Sequence, residues 1–132
     1  MLIPATRYAD CETALAFLKK VIGMQEVAIH RNAAGQVVHA EMRMGDSLFM
    51  FGPEADTPFS RYMTAPRDTG GRETTVMYVV VGDVETHNAK AMAAGATIII
   101  PLEEQDHGGL SYSLRDPEGH VWTIGSYDPR GT

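Results

Sequence analysis

The chain has 132 residues, 44% of them apolar and 21% charged, which are the proportions of one globular unit with room for a core. A net charge of −6 with no basic stripe argues against nucleic acid as a partner. No apolar run reaches membrane-spanning length, MLIPATRYAD lacks the start of a secretory signal, and a lone cysteine, Cys11, excludes an internal disulfide. A cytoplasmic protein without membrane contact is the expectation.

In chain order, a short strand is predicted over about 2–8. Asp10 then stands as N-cap of a helix over 10–22, with Ala14, Leu15, Phe17, Leu18 and Ile22 on its apolar side and Gly23 as its stop. Strands follow near 25–31, 36–43 and 47–52. TPFSRYMTAPRDTGGR, rich in Pro, Gly and Thr, reads as a linker over 57–72 with a short helical turn around Pro58 to Tyr62. VMYVVVGDVETHNAKAMAAGA then repeats the opening: a strand over about 74–81 and a helix over 83–94, capped by Asp83 and stopped by Gly95. Strands near 97–101, 110–115 and 120–127 close the chain.

The repetition is numerical. Asp10, Glu12 and Thr13 match Asp83, Glu85 and Thr86, and Gly52 matches Gly125, each pair 73 residues apart. Four identities at one separation, in matching contexts, indicate a duplicated unit of one strand, one helix and three strands. One domain over 1–132 is expected, with units of about 1–56 and 73–128 around the linker.

Two βαβββ units with D-x-E-T helix starts, together with AEMRMGDSLFMFG and SYSLRDPEGHVWTIGSYDP, resemble the vicinal-oxygen-chelate superfamily, in its glyoxalase/bleomycin-resistance branch. The resemblance implies an α+β fold of cupped mixed sheets, usually completed in a homodimer. It also implies four metal-ligand positions, which fall here on Ile3, Met50, Val76 and Thr123. None of these carries a good ligand for the divalent ions of the family, so no metal or other cofactor is expected.

Strand alternation extends this placement. With Thr123 in the cup, Val121 and Gly125 join it, and Trp122 and Ile124 face the helices. Leu48 and Met50 line the cup with Phe49 and Phe51 beneath them. The opening strands add Ile3, Ala5 and Arg7 on one side, and Val76, Tyr78 and Val80 on the other. If Asp116 pairs with Gly119 across the closing turn, Tyr112 lies opposite Thr123. By the repeat, His39 then lies opposite Met50, and Glu41 opposite Leu48. The expected lining is therefore Arg7, His39, Glu41, Leu48, Met50, Tyr78, Tyr112 and Thr123.

Each residue has a plainer reading. His39 and Glu41 are equally an ordinary strand pair on a solvated face. Arg7 is an anion clamp or a partner of Glu41, and Tyr78 and Tyr112 are packing groups. Cys11 is a neutral residue beside a helix cap. Phe59, Tyr62 and Met63 form a lid or a subunit contact.

Three functions are compatible with this pattern. The first is a metal-free protein that sequesters a small organic molecule, cationic or aromatic, in an apolar cup, as bleomycin-resistance proteins do. The second is a lyase, isomerase or hydrolase of the same superfamily using His39 and Glu41 or a shifted metal site. The third is an accessory module without a ligand.

Overall fold

The structure is a computed structural model that describes residues 1–131. The first unit runs through β1 (Ala5–Tyr8), α1 (Cys11–Phe17), a π-helical turn (Leu18–Ile22), β2 (Gln25–Arg31), β3 (Val37–Met44) and β4 (Ser47–Pro53). The second runs through β5 (Met77–Val80), α2 (Val84–Ala93), β6 (Thr97–Glu104), β7 (Leu110–Arg115) and β8 (Val121–Gly125). Each unit makes a four-stranded mixed sheet, in the orders β1-β4-β3-β2 and β5-β8-β7-β6. Ala5 lies beside Met50 in the first and Tyr78 beside Thr123 in the second, so the register also repeats after 73 residues.

Both helices start by the same device. The carboxylates of Asp10 and Asp83 accept the backbone N–H groups of Thr13 at 3.1 Å and Thr86 at 3.0 Å. The same threonines donate their hydroxyls at 2.7 Å, and these bonds hold both carboxyls below their ordinary pKa. The first helix is not regular to its end. Its last turn widens to π geometry before Gly23, whose φ of 98° stops it.

Strand lengths depart from expectation at the edges. β1 and β5 are shorter than predicted, while β6 runs on to Glu104 through two register irregularities, the second of which spans Pro101. Pro101 lacks the N–H that a regular ladder needs, and β6 is an edge strand, where this is tolerated. The linker carries the expected turn at Pro58–Arg61 and a second at Pro66–Asp68.

Alternation holds as predicted on β4 and β8. Phe49, Phe51, Trp122 and Ile124 are buried, whereas Leu48, Met50 and Thr123 are only partly covered. The core faces of the two sheets share one cluster, with the rings of Phe49 and Trp122 meeting edge to face at 5.3 Å.

Tyr112 does not lie where the sequence placed it. Asp116 pairs with His120, not Gly119, and the turn holds three residues with Gly119 at φ 94°. This one-residue change puts Ser113 opposite Thr123 and turns Tyr112 into the core, fully buried. Its hydroxyl lies 2.5 Å from Nδ1 of His87, whose Nε2 is 3.0 Å from the Ile22 carbonyl. That carbonyl can only accept, so Nε2 carries the proton and Tyr112 donates to Nδ1. Burial pushes the Tyr112 hydroxyl up to about 12.

The first hairpin turns on two residues, Gly45 and Asp46, between paired Met44 and Ser47. Glu41 therefore lies opposite Met50, with His39 two residues further on. This shift of two relative to expectation keeps both on the same face.

The burial of Trp122 yields a direct test. Trp122→Ala should lower stability by about 3–5 kcal/mol in denaturant unfolding, as aromatic-to-alanine core changes do. A loss under about 1 kcal/mol would place the ring outside the core.

Candidate functional site

Each sheet has one face turned away from the shared core. On the first, β1 and β4 present Ala5, Leu48 and Met50, and β3 presents His39 and Glu41. His39 Nε2 and Glu41 Oε2 are 3.1 Å apart, and both side chains are about 40% exposed. The structure adds a residue that the sequence reading missed. His30 on β2 pairs with His39, their rings 5.8 Å apart and tilted by 35°. The signal was the hairpin between them. Asn32 closes it by accepting the N–H groups of Ala34 and Gln36, each at 3.0 Å.

Arg7 starts on this face and is not paired with Glu41, whose carboxylate lies against His39. Its guanidinium donates to the carbonyls of Pro53 and Ala55 and so ties β1 to the start of the linker. The expected cup residue is therefore occupied as a linker anchor.

The open face of the second sheet is different in kind. Thr123 and Ser113 share a 2.7 Å bond between hydroxyls, and Ser111 lies on the same side of β7. Tyr78 stands beside Thr123 on β5, and its hydroxyl donates to the Tyr127 carbonyl at 2.8 Å. The result is a floor of small hydroxyls flanked by one large ring.

The metal positions implied by the fold do not fit a metal. Ile3 and Val76 have no donor atom, Met50 offers only a thioether, and Thr123 spends its hydroxyl on Ser113. Among the described residues, no three His, Cys, Asp or Glu side chains converge to hold an ion.

The deeper hollows, both open to solvent, lie elsewhere. A cavity of about 530 Å³ sits under the linker, but its polar groups are largely committed. Arg67 is paired with Glu54, Arg7 with carbonyls, and Ser60 with the Ala55 carbonyl at 2.7 Å. A second cavity of about 170 Å³ lies on the seam between the units, beside Tyr8, Phe49, His120 and Trp122. The open faces enclose little on their own, because a single curved sheet needs a second surface to close it. They nevertheless carry the part-exposed His39–Glu41 pair with His30 beside it, and a floor of small side chains next to the Tyr78 ring, which makes the open faces the candidate site.

Cys11 is buried at the start of α1, and burial together with nearby Glu118, Asp10 and Glu12 pushes its thiol up to about 11. This is the opposite of an activated nucleophile. No helix among the described residues is long and apolar enough to cross a membrane.

Comparison with known proteins agrees with this architecture. TioX from Micromonospora sp. ML1 is 29% identical, with a TM-score of 0.74, over 94% of this chain and 95% of that one. An uncharacterised protein of Mycobacterium tuberculosis is 28% identical over 116 residues, 88% of this chain and 68% of that one. The fosfomycin resistance protein FosX from Mesorhizobium loti has a TM-score of 0.68 over 98% of this chain and 93% of its own, at 13% identity, a likeness of fold alone. A profile of the Glyoxalase/Bleomycin resistance protein/Dioxygenase superfamily matches residues 4–124. With the two βαβββ sheets and their repeated register, this match places the chain in the glyoxalase/bleomycin resistance protein/dioxygenase superfamily.

Proposed function

We propose that the protein binds a small organic molecule without a metal, in a cup formed when the open faces of two copies come together. The observation that carries this reading is the make-up of those faces. Aliphatic and hydroxyl side chains form the floor, and a few directed polar groups, His39, Glu41 and Tyr78, stand around it. At the four family metal positions Ile3 and Val76 have no donor atom, and Met50 and Thr123 are poor ligands for the divalent ions of the family. Such a surface suits an apolar or aromatic ligand with few polar anchors. A two-fold pairing of copies would enclose two equivalent sites and cover the partly exposed apolar groups Ile3, Val76 and Val80.

A second reading is favoured by the 3.1 Å contact of His39 with Glu41, an imidazole oriented by a carboxylate. It makes the same cup a site of proton transfer. Chemical analysis of the ligand after incubation separates the two. Recovery unchanged supports binding. Conversion that is lost in His39→Gln supports catalysis.

Two measurements test the main reading. Native mass spectrometry of protein purified without chelators should give twice the chain mass with no bound metal. One retained zinc, nickel, manganese or iron per chain would contradict it, and so would a monomer. Thr123→Trp should fill the cup while sparing the core. Thermal melts with a panel of cationic and aromatic antibiotics should then show the wild type stabilised by a ligand and the variant unresponsive, with its own melting temperature nearly kept. A variant that still responds would place the ligand elsewhere.

A further inference from the structure

We propose that Tyr78 is a fixed stacking platform for a planar aromatic group of the ligand, and that Gly125 is the residue that positions it. The inference rests on the reading of the open face as the ligand site and names the chemistry of its second-sheet half.

Gly125 shares the open face of β8 with Thr123, and the Tyr78 ring lies across it. A Cβ on Gly125 would stand 2.4 Å from the Tyr78 hydroxyl oxygen and 2.9 Å from the ring carbon that bears it. Only a residue without a side chain lets the ring lie there. The hydroxyl then reaches the Tyr127 carbonyl at 2.8 Å, which fixes the far end of the side chain. The ring is held at both ends yet remains 40% exposed.

The acceptor is itself held in place. Ser126 exchanges two bonds with Leu110, its backbone N–H to the carbonyl and its hydroxyl from the N–H, both at 3.0 Å. Gly109, at φ 76°, approaches so closely that a Cβ there would be 2.5 Å from the Ser126 hydroxyl. The His107 ring packs edge-on against Tyr127 at 4.9 Å. Two close approaches that only glycine allows thus hold an aromatic corner at the end of the second sheet.

A ring fixed at both ends and 40% exposed gives up little conformational freedom when a flat partner covers it. This suits a planar aromatic group better than a saturated one, because flat contact and the π-face are what the ring offers. The first sheet has no such platform, since Ala5 occupies the position equivalent to Tyr78. A ligand in the cup would therefore be stacked from one side and met by His39 and Glu41 from the other.

The test uses proflavine, a planar aromatic cation, and cyclohexylammonium, a saturated cation, on the full chain. Gly125→Ala is well suited, because its backbone lies outside the left-handed region and the atoms that a new Cβ meets belong to the tip of Tyr78. Alanine should displace the ring and leave the strand. Tyr78→Leu and Gly125→Ala should each weaken proflavine binding tenfold or more, with circular dichroism unchanged. The double variant should lose no more than twofold beyond the weaker single variant, because both changes remove the same platform. Cyclohexylammonium should not compete. The platform is overturned if the wild type does not bind proflavine, if Tyr78→Leu costs less than threefold, if the two losses multiply, or if cyclohexylammonium competes. Thr123→Trp separates the layers. If it abolishes binding while Tyr78→Leu does not, only the platform falls. If it leaves binding intact, the open face is not the site.

Discussion

A single buried carboxylate joins the two halves of this molecule. Asp116 is 4% exposed and accepts four hydrogen bonds. Two come from the backbone N–H groups of Glu118 and His120 in its own turn, each at 3.0 Å. The other two come from the Tyr8 hydroxyl at 2.7 Å and the Trp122 indole at 3.2 Å. A carboxylate is tolerated at such depth only when its lone pairs are met in this way. Burial, with Asp116 beside it, pushes the Tyr8 hydroxyl well above its usual pKa, so Tyr8 stays a donor. Glu118, on the same turn, accepts the N–H groups of Ala9 and Asp10 at 2.7 and 2.8 Å. The helix of the first unit thus begins on a turn of the second.

This junction decides what the open faces look like. By drawing in the N–H groups of Glu118 and His120, Asp116 closes a three-residue turn and sets Ser113, not Tyr112, against Thr123. The second sheet therefore presents two hydroxyls and the Tyr78 ring where a bulky phenol would otherwise stand. The first hairpin has no equivalent of this carboxylate and turns on Gly45 and Asp46. Its open face keeps His39 and Glu41, with His30 alongside. Duplication produced two similar sheets, and their different hairpins gave them different surfaces.

Much of this was legible in the sequence because it depends on local rules. The helix starts at Asp10 and Asp83, the repeat of 73 residues, and the inward direction of Phe49, Phe51, Trp122 and Ile124 follow from caps and alternation. The turn after Arg115 was not legible. Asp-Pro-Glu-Gly suits either a two- or a three-residue closure, and what chooses between them is a side chain tied to Tyr8, 108 residues away in sequence. His30 escaped because it reaches the face only through cross-strand pairing. Arg7 was assigned to the right strand face, but its partners are carbonyls, which carry no signal in sequence. Gly125 was visible as a repeated residue, but its reason lies in the ring that crosses it.

The central claim is that ligand meets the open faces rather than the larger cavity under the linker. A backbone amide NMR titration with proflavine tests this most directly. The account predicts shifts concentrated on Met50, Tyr78, Ser113, Thr123 and Gly125, with Ser60, Thr64 and Arg67 unmoved. Shifts concentrated on Ser60, Thr64 and Arg67, with Thr123 and Gly125 silent, would contradict it.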